Sequence, residues 1–219
     1  MNKNKGRDME FPHSRQKQII IDGAVGDLEL ITMCPEDTVR PITAVICHPH
    51  PLYLGSMNNK VVHTLAKAFV SMGVKAVRFN FRGVGQSLGV YDGGVGETDD
   101  VLSVVQWVRS VCHHDQIWLA GFSFGSYVAA RAAGIVHPTQ LVTIAPAVEH
   151  FNFDELKPIK CPWLVIQGEE DEVVPPELVY EWAAREKPLL VRMPGTGHFF
   201  HGKLIDLKEI IVRKLSDKE

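Results

Sequence analysis

Gly121-Phe122-Ser123-Phe124-Gly125 follows the apolar run Ile117-Trp118-Leu119-Ala120 and precedes Ser126–Ala133, a segment of small residues. The run reads as a buried strand over Gln116–Ala120, and the small-residue segment as a helix that Gly134 ends. The five residues between them then form a sharp strand-to-helix turn. Such a turn brings backbone atoms close together, so its two flanking positions favour glycine. It lifts Ser123 to the top of a sheet and aims the unpaired N–H groups of a new helix at any negative charge that develops there. With 18 glycines in the chain the bare pattern arises easily by chance. The strand before it and the helix after it give it weight.

A lone serine hydroxyl is a poor nucleophile, so a base and an orienting acid must be found. The strand Trp163–Gln167 runs into Gly168-Glu169-Glu170-Asp171-Glu172-Val173-Val174-Pro175. An acid at the C-terminal end of a parallel strand lies on the ligand-binding side of a sheet. Asp171 is the preferred candidate because Val173, Val174 and Pro175 return the chain to the core behind it. Glu170 is its rival, and Glu169 and Glu172 read as solvated. The next strand, Leu189–Met193, runs into Pro194-Gly195-Thr196-Gly197-His198-Phe199-Phe200, which places His198 in a loop that reaches back toward Ser123. His201 is a decoy at the start of a helix. His63, His113, His114 and His137 have no neighbour that needs a base.

Working outward, the order is a hairpin followed by strands alternating with helices. Ile19–Ala24 and Leu28–Met33 flank Gly26-Asp27 as an antiparallel pair. Thr43–Cys47 is short and almost wholly apolar, as a buried central strand should be. It ends in His48-Pro49-His50-Pro51, where two prolines break regular structure. A helix from Asn58 carries Val61, Val62, Leu65 and Phe69 on one face up to Gly73. Lys75–Phe79 is a strand, and a glycine-rich stretch, 80–96, follows it. The next helix, capped by Thr98 or Asp99, runs to about Arg109. Leu141–Ala145 is a strand, Pro176–Ala184 a helix, and Leu204, Leu207, Ile211 and Leu215 form the inward face of a closing helix. This alternation gives an α/β fold with a mostly parallel central sheet, an antiparallel N-terminal hairpin and helices on both faces. Trp163 follows Ala145 by only 18 positions, which leaves a short excursion over 149–158 and no lid domain. Residues 1–18 read as a flexible N-terminal tail and 19–219 as a single domain.

Of 219 residues, 23 are Lys or Arg and 26 Asp or Glu, a formal net charge of −3 that gives no overall attraction to nucleic acid or anionic lipid. The polar opening lacks a secretory apolar stretch, and no apolar run is long enough to cross a bilayer. The reading is a cytoplasmic protein without membrane insertion. Cys34, Cys47, Cys112 and Cys161 form no CxxC pair and read as structural thiols. His48 and His50 sit at alternate positions, but a tetrahedral metal site needs more ligands, so no metal is expected. Gly83-Val84-Gly85 departs from the dinucleotide fingerprint, so no cofactor is expected. The glycine-rich stretch reads instead as a loop bordering the site, positioned by Arg82 and Asp92.

The residues resemble the α/β-hydrolase superfamily. They are most similar to short, lidless bacterial proteins known as predicted α/β hydrolases of dienelactone-hydrolase or esterase type. Cys47-His48-Pro49-His50-Pro51, Gly55-Ser56-Met57-Asn58-Asn59-Lys60, Asn80-Phe81-Arg82-Gly83-Val84-Gly85-Gln86-Ser87 and Asp92-Gly93-Gly94-Val95-Gly96-Glu97 carry the likeness, together with the three segments around Ser123, Asp171 and His198. The resemblance implies Ser123 as nucleophile, Asp171 as acid and His198 as base. Two positions depart from the pattern. Leu54 stands where glycine is preferred, and Glu170 where a small residue is usual.

The implied reaction is hydrolysis of carboxylic esters of small or medium acyl groups through an acyl-enzyme, with a small-molecule ester or thioester as substrate. The oxyanion hole would combine the Phe124 N–H with one from the loop after Thr43–Cys47. Pro49 and Pro51 have no N–H, which leaves His50 or Leu52. Leu52, Tyr53, Phe122 and Phe199 are candidates for an apolar substrate rim, with Phe124 and Phe200 beside them. Acyl-thioesterase or protein deacylase chemistry suits the same three residues. Outside enzymes, the alternative is a binding module with a vestigial triad. The sequence leaves monomer and homodimer open, with an edge strand or the Trp182 helix as pairing surfaces.

Overall fold

A computed structural model describes residues 10–216. Eight strands form one sheet: β1 (Lys17–Asp22), β2 (Asp27–Met33), β3 (Ile42–Cys47), β4 (Lys75–Phe79), β5 (Gln116–Phe122), β6 (Gln140–Ile144), β7 (Trp163–Gly168) and β8 (Leu189–Met193). Their spatial order is β1-β2-β4-β3-β5-β6-β7-β8. β1 pairs antiparallel with β2, and β2 antiparallel with β4, while every pairing from β4 through β8 is parallel. Four helices connect strands, α1 (Lys60–Ser71), α2 (Val95–Val111), α3 (Phe124–Val136) and α4 (Pro176–Glu186), and α5 (Leu204–Ser216) follows β8. The architecture is the lidless α/β-hydrolase fold. Between β6 and β7 the excursion holds a single short helical turn, Phe153–Glu155.

Strand alternation divides the core into two layers. Val45 and Cys47 of β3 face one side with Val101, Val104 and Val108 of α2, Val128 and Ala132 of α3, and Val179 of α4. Ala44 and Ile46 face the other side with Val62, Leu65 and Phe69 of α1 and Leu207, Ile211 and Leu215 of α5. Every residue of β3 is buried, which is the consequence of helices covering both faces of a parallel sheet.

Chain order places the functional edge. From β3 the chain crosses through α1 to β4 on one side, then returns through α2 to β5 on the other. The strand order therefore reverses between β3 and β5. Loops leaving the carboxyl ends of two such strands diverge and open a crevice where ligands of open α/β sheets bind. The loop after β3 contains His50, and the turn after β5 contains Ser123.

Several boundaries differ from the sequence reading. α2 starts at Val95 rather than near Thr98, because Glu97 reaches back to accept the Asp92 and Gly94 N–H groups at 2.9 and 2.7 Å. α3 runs through Gly134 to Val136 and ends on His137 in left-handed conformation. Gly134 is there for contact: a Cβ would lie 2.7 Å from the Lys157 Cβ. Of the segment read as a tail, 1–9 lie outside the described residues, while Phe11 is buried 6.0 Å from the Trp107 ring and β1 begins at Lys17. Trp182, considered for a subunit contact, is buried against Phe153 and Trp163.

Candidate active site

The turn after β5 contains one residue outside regular structure. β5 ends at Phe122, α3 begins at Phe124, and Ser123 between them has φ 54 and ψ −118. A non-glycine residue at positive φ is strained, and such strain persists only where the surroundings over-determine it. Here the surroundings are specific. The Ile144 carbonyl at the end of β6 accepts the Ser123 N–H at 2.9 Å. The Ser126 hydroxyl lies 2.9 Å from both the Ile144 and Gly121 carbonyls, tying the first turn of α3 to the strands. A Cβ at Gly121 would overlap the Gly125 carbonyl, and one at Gly125 would overlap the Cys47 and His48 carbonyls. Both glycines are therefore steric requirements of the turn.

Ser123, His198 and Asp171 converge from three strand ends. His198 Nε2 stands 3.1 Å from the Ser123 Oγ, and Nδ1 stands 2.9 and 3.1 Å from the two Asp171 oxygens. Because Nδ1 faces a carboxylate, it carries the proton, and Nε2 is left to accept from the serine hydroxyl. Asp171 and His198 are both buried, at 5% and 2% exposure. Burial by itself would raise the Asp171 pKa. The His198 hydrogen bond and charge, with the N–H groups of Val174 and Val173 at 2.7 and 2.9 Å, outweigh it and hold the carboxyl below its ordinary value.

Glu170, the rival acid, is exposed, and its backbone N–H is bonded to the Thr196 carbonyl. Glu172, read as merely solvated, takes the His198 N–H on its Oε2 at 3.3 Å. The buried Gln167, at the end of β7, donates to Asp171 Oδ2 at 3.0 Å. Sequence inspection did not single out Gln167, because a lone polar residue closing an apolar strand carries no signal of its partner. His201 is exposed and stacked on Phe199.

The two histidines after β3 have different tasks. His48 is fully buried, with Nδ1 2.6 Å from the Pro49 carbonyl and Nε2 accepting the Phe81 N–H at 3.1 Å. Both ring nitrogens are thus occupied, and burial pushes the imidazole pKa down to about 3. His50 takes the Leu52 N–H on Nδ1 at 3.2 Å, so its Nε2 carries the proton and faces the Tyr91 hydroxyl at 3.1 Å. Its ring is surrounded by Tyr53, Tyr91 and Phe124, with centroids 4.8 to 5.0 Å away. Leu54 has φ 61 and is 97% exposed, which accounts for a preference for glycine at that position.

The residues read as an apolar rim divide. Leu52, Tyr53 and Phe199 are exposed, and Phe199 packs edge-on against the His198 ring. Phe122 is not at a rim. The last residue of β5 points to the α1/α5 side, where it is fully buried 5.1 Å beneath the His198 ring and 6.5 Å from Phe200, itself fully buried. Phe124 is buried on the other side of the turn. The loop 80–94 is fastened by a buried two-pronged ion pair, Arg82–Asp100, at 2.8 to 3.1 Å, and by Asp92 accepting the Gly96 N–H. Glu29 adds bonds from Asn80 and from the backbone and side chain of Gln86.

Comparison with known proteins agrees with this architecture. The chain is 49% identical to a solved α/β serine hydrolase homologue from Coxiella burnetii, covering 91% of this chain and 97% of that one with a TM-score of 0.89. It is 46% identical to a Xanthomonas campestris protein described as an α/β serine hydrolase without a lid, covering 95% and 96% with a TM-score of 0.91. An uncharacterized protein of Rickettsia prowazekii (strain Madrid E) is 32% identical over 206 residues, 89% of this chain and 86% of its own. No helix among the described residues is long and apolar enough to cross a membrane. The model of the X-Pro dipeptidyl-peptidase (S15 family) matches residues 27–155, more than half of the chain, and the protein belongs to that family of α/β-hydrolase-fold proteins.

Proposed function

We propose that the protein hydrolyses carboxylic esters of small or medium acyl groups through an acyl-enzyme on Ser123. The observation that carries this reading is the unbroken hydrogen-bonded series from Ser123 Oγ through His198 to Asp171. His198 Nε2 accepts the hydroxyl proton as Oγ attacks the acyl carbonyl. Asp171 holds Nδ1–H and stabilises the imidazolium that forms. His198 then gives its proton to the leaving alcohol, and a water molecule, deprotonated by the same imidazole, releases the acid.

The tetrahedral oxyanion is assigned to the N–H groups of Phe124 and His50. Phe124 opens α3, so its N–H has no partner within the helix, and the helix dipole adds to it. Of the two loop candidates, Leu52 already donates to His50 Nδ1 and Pro49 and Pro51 cannot donate, which favours His50. Phe199, exposed against the His198 ring, and the exposed Leu52 and Tyr53 of the His50 loop supply the apolar contacts for the acyl or alcohol portion.

The test is a series of p-nitrophenyl esters from acetate to decanoate, run beside an S-acyl thioester and an X-Pro p-nitroanilide. Turnover favouring the short esters supports the reading. Preference for the thioester assigns the site to thioesterase or deacylase work, and preference for the anilide to dipeptidyl-peptidase work.

A further inference from the structure

Gln167 is the last side chain of β7 before the turn that carries Asp171, and it is completely buried. Its Nε2 lies 3.0 Å from Asp171 Oδ2 and 3.3 Å from the carbonyls of both Gly168 and Val174. Three acceptors around one end of a carboxamide fix its orientation. Turned over, the amide oxygen would face a carboxylate and two carbonyls. The other end, Oε1, is buried with no hydrogen-bond partner among the described residues. A buried acceptor with no partner is unfavourable, and methionine or leucine would fill the same space without it. The amide is therefore best explained by what its N–H group does.

We propose that Gln167 is a positioning residue that acts through Asp171, holding the carboxylate at the angle that receives His198 Nδ1–H. This rests on the reading of Ser123, His198 and Asp171 as a catalytic set. Asp171 Oδ1 is held by the backbone N–H groups of Val173 and Val174. Those two bonds pin one oxygen only, and the terminal torsion of an aspartate is soft. Among the described residues the second oxygen, Oδ2, has two donors, His198 and Gln167. Without Gln167, the only group fixing Oδ2 would be the imidazole that Oδ2 is meant to orient. Gln167 makes the carboxylate's direction independent of the histidine, so that it persists when His198 exchanges its proton with Ser123. Glu172 completes the arrangement from outside by holding the His198 N–H.

The variants are Gln167→Met, which keeps length and loses the donor, and Gln167→Glu, whose ionised form sets a second carboxylate against Asp171. Steady-state kinetics on p-nitrophenyl acetate across pH, thermal melting and fluorophosphonate labelling are measured on both variants and on the wild type. Gln167→Met is expected to lower kcat on the order of ten- to a hundredfold with KM little changed. The acid limb of its pH profile should move upward, because a carboxylate with one donor fewer binds the imidazolium proton more strongly. Gln167→Glu should lose further activity as pH rises and its own carboxyl ionises. A lowered melting temperature with kcat and both pH profiles unchanged would overturn the proposal and leave Gln167 a packing residue. Absence of labelling in the wild type would overturn the catalytic reading, and this role with it. Labelling of the wild type with unaltered variants would remove only the role of Gln167.

Discussion

Gly125 lies so close to Cys47 that a single methyl group on its Cα would overlap the Cys47 carbonyl oxygen. The contact joins the first turn of α3 to the end of β3, the two elements that leave the sheet where its strand order reverses. It sets the distance between the Ser123 turn and the loop carrying His50. Gly125→Ala must push these apart or distort the turn. We expect it to destabilise the protein by at least about 1–3 kcal/mol, the range for overpacking a tight interior. Folded Gly125→Ala protein should lose ester turnover beyond what its stability explains. Denaturant unfolding and kinetics on the same preparation check both parts.

Asp171 and Glu170 are adjacent in sequence and differ in every physical respect that matters to a base-orienting acid. Asp171 is buried, carries two backbone N–H bonds and faces His198, while Glu170 points to solvent. Asp171→Asn should lower kcat by about 10⁴-fold, since the amide favours the wrong imidazole tautomer. Glu170→Gln should change it by less than about twofold, in line with an exposed side chain remote from the reacting atoms. Equal losses in the two variants would contradict the assignment.

His48 predicts an acid-side loss of stability. Its folded pKa is about 3 against 6.5 in the free side chain, lowered first by burial and then by the charge of His50, against the opposing bond to the Pro49 carbonyl. Between those values the unfolded chain holds a proton that the folded protein does not. The stability is therefore full above pH 6.5 and falls as pH drops toward 3, with a slope of about 1.4 kcal/mol per unit at its steepest. Asp171 is held below the ordinary carboxylate range, so its contribution is lost mainly as pH falls through the unfolded value of about 3.9, and it adds little slope above pH 4.5. Urea unfolding of the wild type from pH 7 to 4.5 should show the decline, and His48→Gln should make it shallower, leaving the contributions of His50 and His63, whose imidazole pKa values burial also lowers.

The elements most legible in the sequence were those whose pattern is local. β4 and β8 have the bounds their apolar runs imply, and the glycines around Ser123 announced a turn whose steric need the structure makes explicit. That Asp171 and His198 would converge on Ser123 was legible because each follows a strand end in a suitable chain order. What the sequence hid was how side chains turn once the backbone is fixed. The start of α2 depends on Glu97 folding back onto Asp92 and Gly94, which helix propensity does not encode. The burial of Phe122 depends on which side of β5 its position falls. Gln167 gains its meaning from Asp171, four residues on across a turn whose shape no periodicity reveals.

Arg82 and Asp100 form an ion pair with side-chain exposures of 8% and 0%. Arg82 belongs to the loop 80–94, and Asp100 to α2. Removing one partner leaves the other charge buried, so Arg82→Leu or Asp100→Leu should each cost about 3–5 kcal/mol. The double substitution should cost clearly less than their sum. A double-mutant cycle by chemical denaturation measures the difference, and simple additivity would contradict a direct pair.

On this reading His198 and Asp171 activate the Ser123 hydroxyl. This activation is tested most directly by fluorophosphonate labelling followed by peptide mapping, with Ser123→Ala and His198→Ala as controls. One phosphonylated residue, Ser123, is expected in the wild type, and no labelling in either variant. Labelling elsewhere, or a wild-type protein that resists the probe while folded, would contradict it.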